Sequence, residues 1–199
     1  MMAIKIQSFT GLSALPFRKD LAELRIAVFR EFPYLYEGSL EYESGYLEKF
    51  IHTENSIVVV AFDGDKVVGA STGMPLQNEV SSVLQPWKER GEPMEHIFYF
   101  SESVLLPAYR GQGIGREFFA HREQWARSLG GYSVLTFCGV IRPADHPARP
   151  FDYVDLNEFW QHRGFYKKEG YICEMAWKEV GATEETKQQL QFWEKNIGH

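Results

Sequence analysis

No apolar run in this sequence reaches the ~18 residues that cross a bilayer; "SIVVVAF" and "GVI" stop far short of it. The opening stretch "MMAIKIQSF" lacks the long apolar region of a secretion signal, so a soluble cytoplasmic protein with no membrane partner is expected. Cysteine is scarce. Cys138 and Cys173 are too few for a disulfide framework, and each lies in an apolar stretch where a reduced, buried thiol is expected. Basic excess is missing as well: a net charge of −6 argues against a protein that grips nucleic acid through a broad basic surface, so any anionic ligand must be met by local groups. The six histidines show neither H-E-x-x-H nor paired Cys/His spacing, and no metal site is expected. Repeats, low-complexity tracts and long linkers are also lacking, which predicts a single domain over residues 1–199.

What the sequence does have is core material, with 44% hydrophobic and 15% aromatic residues against 24% charged. Alternation in "AIKIQSF" predicts a strand, and Leu21, Leu24, Val28 and Phe29 form the apolar stripe of a helix over 17–30. After breaks at Pro33 and Gly38 a second helix is predicted over 40–51. β-Branched runs around Asp63-Gly64-Asp65 predict a hairpin, followed by a polar insertion over 75–95 with a turn or two of helix. A strand over 97–106, a helix over 113–129 and a strand over 132–141 make a parallel βαβ crossover. Beyond the Pro-rich loop "RPADHPARPFDY" the pattern predicts a short helix over 155–163 and a strand pair within 165–178 turned at Glu169-Gly170. A last helix is predicted over 183–197, with Leu190, Trp193 and Ile197 on one stripe. The fold class is α/β, a mixed and mostly antiparallel sheet flanked by helices.

Three glycines crowd the junction Arg110-Gly111-Gln112-Gly113-Ile114-Gly115-Arg116, where the central strand gives way to a helix. The first N–H groups of a helix lack intrahelical partners and carry partial positive charge. Glycines there remove the side chains that would keep a diphosphate from those amides, and Arg110 and Arg116 add charge at the rim. The dinucleotide fingerprint G-x-G-x-x-G fails because Arg116 stands where it needs glycine, and no glycine begins a P-loop.

The stretch resembles motif A of the GCN5-related N-acetyltransferases, [RQ]-x-x-G-x-[GA], and "FWQHRGFYK" is similar to the family's late segment. The predicted element order parallels the family from about residue 3 to residue 178. The resemblance implies a GNAT-like acyltransferase fold in which two parallel strands splay apart around the cofactor. It implies acetyl-CoA (coenzyme A) as cofactor, with its diphosphate on the amides of Gln112, Gly113, Ile114 and Gly115, next to Gly111, Arg110 and Arg116. Leu105 and Leu106 take the place whose backbone pairs with the pantetheine arm, and the helix carrying Phe159 and Trp160 closes the pocket. Trp160 stands where the family often has the tyrosine that protonates the leaving thiolate, so Tyr166 or Tyr171 must substitute or the thiolate leaves unassisted.

The acceptor implied is a primary amine of a small molecule or peptide, and similar proteins often form homodimers. Tyr34, Tyr36 and Glu37 suit a cationic substrate, with the loop over 142–153 as the opposite wall. Glu102, three residues before Leu105, is the candidate base; its alternative is a strand glutamate paired with an arginine. Two other functions stay open: a non-catalytic acyl-CoA sensor, and a serine hydrolase using Ser71 in the G-x-S-x-G pattern Gly69-Ala70-Ser71-Thr72-Gly73 with Asp145 and His146.

Overall fold

β-Branched residues on both sides of Asp63-Gly64-Asp65 form the hairpin that organises the first half of the sheet, with Gly64 at φ +60° in the turn. The computed structural model describes residues 4–198. In chain order the elements are β1 (Lys5–Phe9), α1 (Arg18–Phe29), α2 (Leu40–Ile51), β2 (Ile57–Asp63), β3 (Lys66–Pro75), α3 (Ser81–Glu89), β4 (Ile97–Leu105), α4 (Ile114–Leu129), β5 (Val134–Val140), α5 (Asn157–Gln161), β6 (Tyr166–Lys178) and β7 (Glu185–Asn196). The seven strands form one sheet in the order β1-β2-β3-β4-β5-β7-β6, antiparallel except between β4 and β5. Ala3, at the edge of the expected first strand, lies outside the described residues.

β2 is buried at six of its seven positions, which explains its unbroken apolar run: both faces are covered. Val59 and Ala61 join Ile114, Phe118 and Ala126 of α4 on one face, while Val58 and Val60 join Leu21 and Leu24 of α1 and Leu47 and Phe50 of α2 on the other. That second face continues over β4, β7 and β6, where Trp87 of α3 packs with Tyr99, Phe192 and Tyr171.

Besides a register shift between Ala61 and Phe62 of β2, the ladder is irregular in two places. Between the pairs Thr72–Glu102 and Met74–Tyr99, β4 holds Phe100 and Ser101 against the single Gly73, a bulge that bends the strand. A Cβ on Gly73 would lie 2.7 Å from the Phe98 ring, so only glycine lets the strands approach there. Arg122 of α4 is 1% exposed and donates to the carbonyls of Thr72 and Glu102 and to Ser103 Oγ, serving groups beside the break in the ladder. The second irregularity is in β6, where the register jumps between Lys167 and Ile172 around Gly170 at φ +77°. Gln191 Nε2 donates to the carbonyls of Lys168 and Tyr171 in the interrupted stretch.

Three expectations need correction. The helix over 183–197 is strand β7: Phe192 faces the α3 side and Trp193 the α4 side, and a central strand covered on both faces loses the alternation that marks a strand. The strand pair within 165–178 is one strand with a bulge, Glu169-Gly170 being part of the irregularity. The hydrolase alternative fails because Ser71 is fully buried within β3, opposite Ser103, with no strand–turn–helix elbow. Gly69 and Gly73 there make room for Leu105 and Phe98.

Candidate functional site

Among the described residues, β4 and β5 pair only at Ile97–Val134, Phe98–Leu135 and Tyr99–Thr136. Beyond the bulge β4 stays with β3, while β5 stays with β7 through Val140–Leu190. A gap therefore opens between 100–105 and 137–140, along which one edge of each strand has no ladder partner. Such an edge accepts an extended polar chain as an added strand.

The start of α4 adjoins the gap's mouth. Gly113 caps the helix at φ +83° with no side chain bonded to the first amides, and Gly111 lies at φ +76° with open space where a Cβ would point. Gly115 serves packing: a Cβ there would be 3.3 Å from the Phe159 ring. Arg116 is exposed, beside Glu117. Arg110 turns back, donating through Nε to Leu105 O at 3.2 Å and pairing with Glu31 at 2.9 Å. The amide nitrogen of Leu106 donates to Val68 O, anchoring the end of β4 to β3.

Sequence alone does not single out Arg163, just after α5. Its guanidinium lies 3.5 Å from the Phe159 ring centroid and donates to Phe159 O, while its Nε has no hydrogen-bond partner among the described residues. Burial, and then the nearby Arg116, push its pKa down. Two neighbouring cations, one with a donor unspent, suit an anion. The uncapped amides, glycine turns, paired arginines and open strand edges all fit coenzyme A. Trp160 covers the β5 side of the gap: its ring sits 5.0 Å from both Phe137 and Trp193, and a Cβ on Gly139 would meet it at 2.9 Å.

On the α1/α2 face the gap is enclosed by three converging segments. The α1–α2 loop pairs with the end of β6 through Glu37 N to Lys178 O and Val180 N to Leu35 O. Arg142 donates to the carbonyls of Pro33 and Tyr34 and pairs with Glu179 at 2.5 Å. The loop over 142–153 packs through Tyr153 and His146 on Phe32.

The expected substrate residues separate. Tyr34 is packed between Phe29 and Trp177, its hydroxyl pKa pushed up by burial first and Cys138 next. Tyr36 is half-buried beside Glu43, and burial first and the Glu43 carboxylate next raise its pKa. Glu37 turns outward to Arg30 at 3.2 Å and the Gly181 amide, which hold its carboxyl below the usual range.

Glu102 is 7% exposed and bound to Arg25 Nη1, while Arg25 Nε holds the fully buried Glu43. Tyr46 and Phe29 flank the guanidinium at 4.4 and 5.1 Å. The arginine-paired alternative is thus what the structure contains. Arg25 had a signal in sequence: it lies on the apolar stripe of its helix, and a cation buried there requires a carboxylate. Tyr166 registers with Glu194, and Glu194 with Thr136, which puts it at the closed end of the gap, two strands from β5 and 65% exposed. Tyr171 hydrogen-bonds Glu92 and packs on Trp87 at 4.9 Å. Neither tyrosine adjoins the gap. Both cysteines are free; Cys138 is hydrogen-bonded to the Tyr99 hydroxyl at 2.9 Å, and its thiol pKa is raised by Cys173 first and burial second. No group of three or more potential metal ligands is gathered among the described residues, and none of their helices is long and apolar enough to cross a membrane.

A parallel pair splayed at a bulge, with an uncapped, glycine-turned helix start at its mouth, defines an acyl-coenzyme A-dependent transferase. The model of the acetyltransferase (GNAT) family matches residues 21–152, and the chain belongs to that family, whose acetyl donor is acetyl-CoA. Similar solved structures include a ribosomal-protein-alanine N-acetyltransferase from Brucella melitensis, at 17% identity over 97% of this chain and 99% of that one, with a TM-score of 0.63. An N-acetyltransferase from Staphylococcus aureus Mu50 matches at 15% identity over 98% of each chain, with a TM-score of 0.59. A Salmonella typhimurium protein solved with acetyl-CoA as its cofactor matches at 12% identity over 99% of this chain and 95% of that one, with a TM-score of 0.60. At these identities the likeness is one of fold. No curated protein matches the chain.

Proposed function

We propose that the protein, acting as one domain, transfers the acetyl group of acetyl-CoA to a primary amine of a small molecule or peptide. The observation that carries this reading is the gap beyond Tyr99, with the start of α4 at its mouth. Acetyl-CoA supplies an activated thioester carbonyl when bound. The free edges of Leu105 and Leu106 would hold the pantetheine arm, and the turn from Arg110 to Arg116, with Arg163, would hold the diphosphate. Trp160 would shut out water from the β5 side. Tyr34 and Tyr36 line the acceptor side, and Glu37 belongs to its outer rim. With Tyr166 two strands away from β5, departure of the thiolate rests on its own pKa near ~8.5.

The test is acetyl-CoA turnover, read as thiol release, with polyamines, amino acids, aminoglycosides and lysine peptides as acceptors. At least one amine is expected to raise release by about tenfold or more over hydrolysis. Tight acetyl-CoA binding with no acceleration by any amine would make the protein a sensor instead. For the diphosphate seat, Arg163→Ala is expected to weaken acetyl-CoA about fivefold, the scale of one charge-assisted bond. Calorimetry that finds the affinity unchanged would remove Arg163 from the seat.

A further inference from the structure

The gap needs a proton acceptor on the acceptor side, because an ammonium with a pKa near ~10.4 cannot attack a carbonyl until it is deprotonated. Glu102 is poorly suited: its carboxylate is spent on Arg25, a guanidinium that shares its other arm with Glu43, and protonating it would break a buried pair. A second carboxylate reaches the same place from another direction. After β3 the 3-10 turn Leu76–Asn78 carries the chain back across the sheet and delivers Glu79, half-buried, onto the bulge of β4. Its Oε1 accepts from Ser101 Oγ at 3.0 Å, and its Oε2 accepts from the Val80 amide at 3.1 Å.

Ser101 is a residue of the bulge itself, two positions past Tyr99, the last residue of β4 paired with β5. The carboxylate is therefore held where the gap begins. Its face follows from its neighbours, Tyr46 on α2, Tyr99 on β4 and Cys138 on β5, which lie on the α1/α2/α3 side; burial raises the pKa values of the two tyrosines, and Cys173 and burial that of the thiol, with the Glu79 charge a lesser cause in each. This is the side enclosed by the α1–α2 loop, opposite the helix that offers its amides to the diphosphate.

We infer that Glu79, positioned by Ser101, binds the acceptor ammonium at the β4 bulge and takes its proton, with Tyr46 and Tyr99 beside it. The inference rests on the acetyl-transfer reading and names the acceptor's charge class, a cationic primary amine. One N–H proton passes from the ammonium to the Glu79 carboxylate. The freed lone pair forms the C–N bond to the thioester carbonyl carbon as the C–S bond breaks with its electrons on sulfur. The second N–H proton ends on that sulfur, and Glu79 returns its proton to water, so that amide, thiol and one proton are released.

The experiment compares wild type with Glu79→Gln and Ser101→Ala, using spermine, tyramine and a lysine peptide as acceptors at saturating acetyl-CoA. Wild-type turnover with one of them is required first; its absence with all three, and with the wider amine panel, overturns the acetyl-transfer reading itself. Given turnover, Glu79→Gln is expected to lower kcat about 100-fold at pH 7 and to raise KM for the amine, with acetyl-CoA affinity within about twofold. The loss should shrink below about 10-fold at pH 9.5, where much more of the amine arrives already deprotonated. Ser101→Ala is expected to cost about 5-fold in kcat, as a positioning residue does. Wild-type kcat and an unchanged pH profile in folded Glu79→Gln overturn the inference while leaving acetyl transfer in place. An equal loss at both pH values also overturns it, since a structural defect would not be relieved by deprotonated amine. Loss of the acidic limb in Glu102→Gln but not in Glu79→Gln would return the role to Glu102.

Discussion

Replacing Gly113 by glutamate is expected to weaken acetyl-CoA binding by more than about tenfold, a loss above ~1.4 kcal/mol. Two independent causes act together. Gly113 sits at φ +83°, where an L side chain is disfavoured by roughly 1–2 kcal/mol, so the turn must shift. The new carboxylate would also stand at the start of α4, where free amides and Arg116 favour an anion, and would meet the diphosphate with like charge. Gly113→Ala separates the causes, because it carries the backbone penalty alone; the difference between the variants is the electrostatic part. Calorimetry on folded protein decides, and unchanged affinity in Gly113→Glu would mean that the glycines serve only the turn.

Arg122→Leu is expected to destabilise the fold by about 3 kcal/mol, the scale of removing one side of a buried hydrogen-bonded charge. The guanidinium lies over Phe100 and Phe119 at 4.2 and 4.9 Å and bonds three groups on β3 and β4. Leucine would fill much of the space but leave the carbonyls of Thr72 and Glu102 without that donor. For a chain of this length the melting temperature should fall by roughly 6–12 °C. Burial pushes the Arg122 pKa down from its ordinary range to about 9. Because the folded value is the lower one, the cost of keeping the charge is constant well below pH 9 and is relieved only as pH rises through it. The wild-type minus variant difference should therefore stay flat from about pH 6 to 8. Scanning calorimetry that found Arg122→Leu as stable as wild type would mean that desolvation of the cation cancels its bonds.

How much of the molecule is legible in the sequence depends on whether the signal is local. The glycine turn, the hairpin at Asp63-Gly64-Asp65, helix α2 and the βαβ crossover each rest on residues close in sequence, and the structure contains them within a few positions. Strand β7 passes for a helix because Leu190 and Trp193 keep a helical spacing by coincidence, Trp193 being buried on the face opposite Phe192. At the site, the fate of Glu102 is decided by Arg25, seventy-seven positions earlier, and the standing of Glu79 by its arrival at a bulge. Tyr166 is close to Trp160 along the chain, yet a strand advances about 3.3 Å per residue and β7 intervenes. Arg25 and Arg122 share one feature that is easily overlooked, a cation on an otherwise apolar helical stripe.

The strand order has a consequence for synthesis on the ribosome. Strands β2, β3, β4 and β5 can join the sheet as they emerge, each beside its predecessor, but β6 is made before β7 and, among the described strands, pairs with β7 alone. For the time it takes to translate the following stretch, thirteen residues of extended chain, including Ile172, Cys173 and Met175, have no seat in the sheet. Lys167, Lys168, Glu169, Glu174 and Lys178 punctuate that segment with charge, and charged side chains on an unpaired strand discourage it from joining a neighbouring nascent chain. The same side chains that border the finished sheet thus protect the unfinished one.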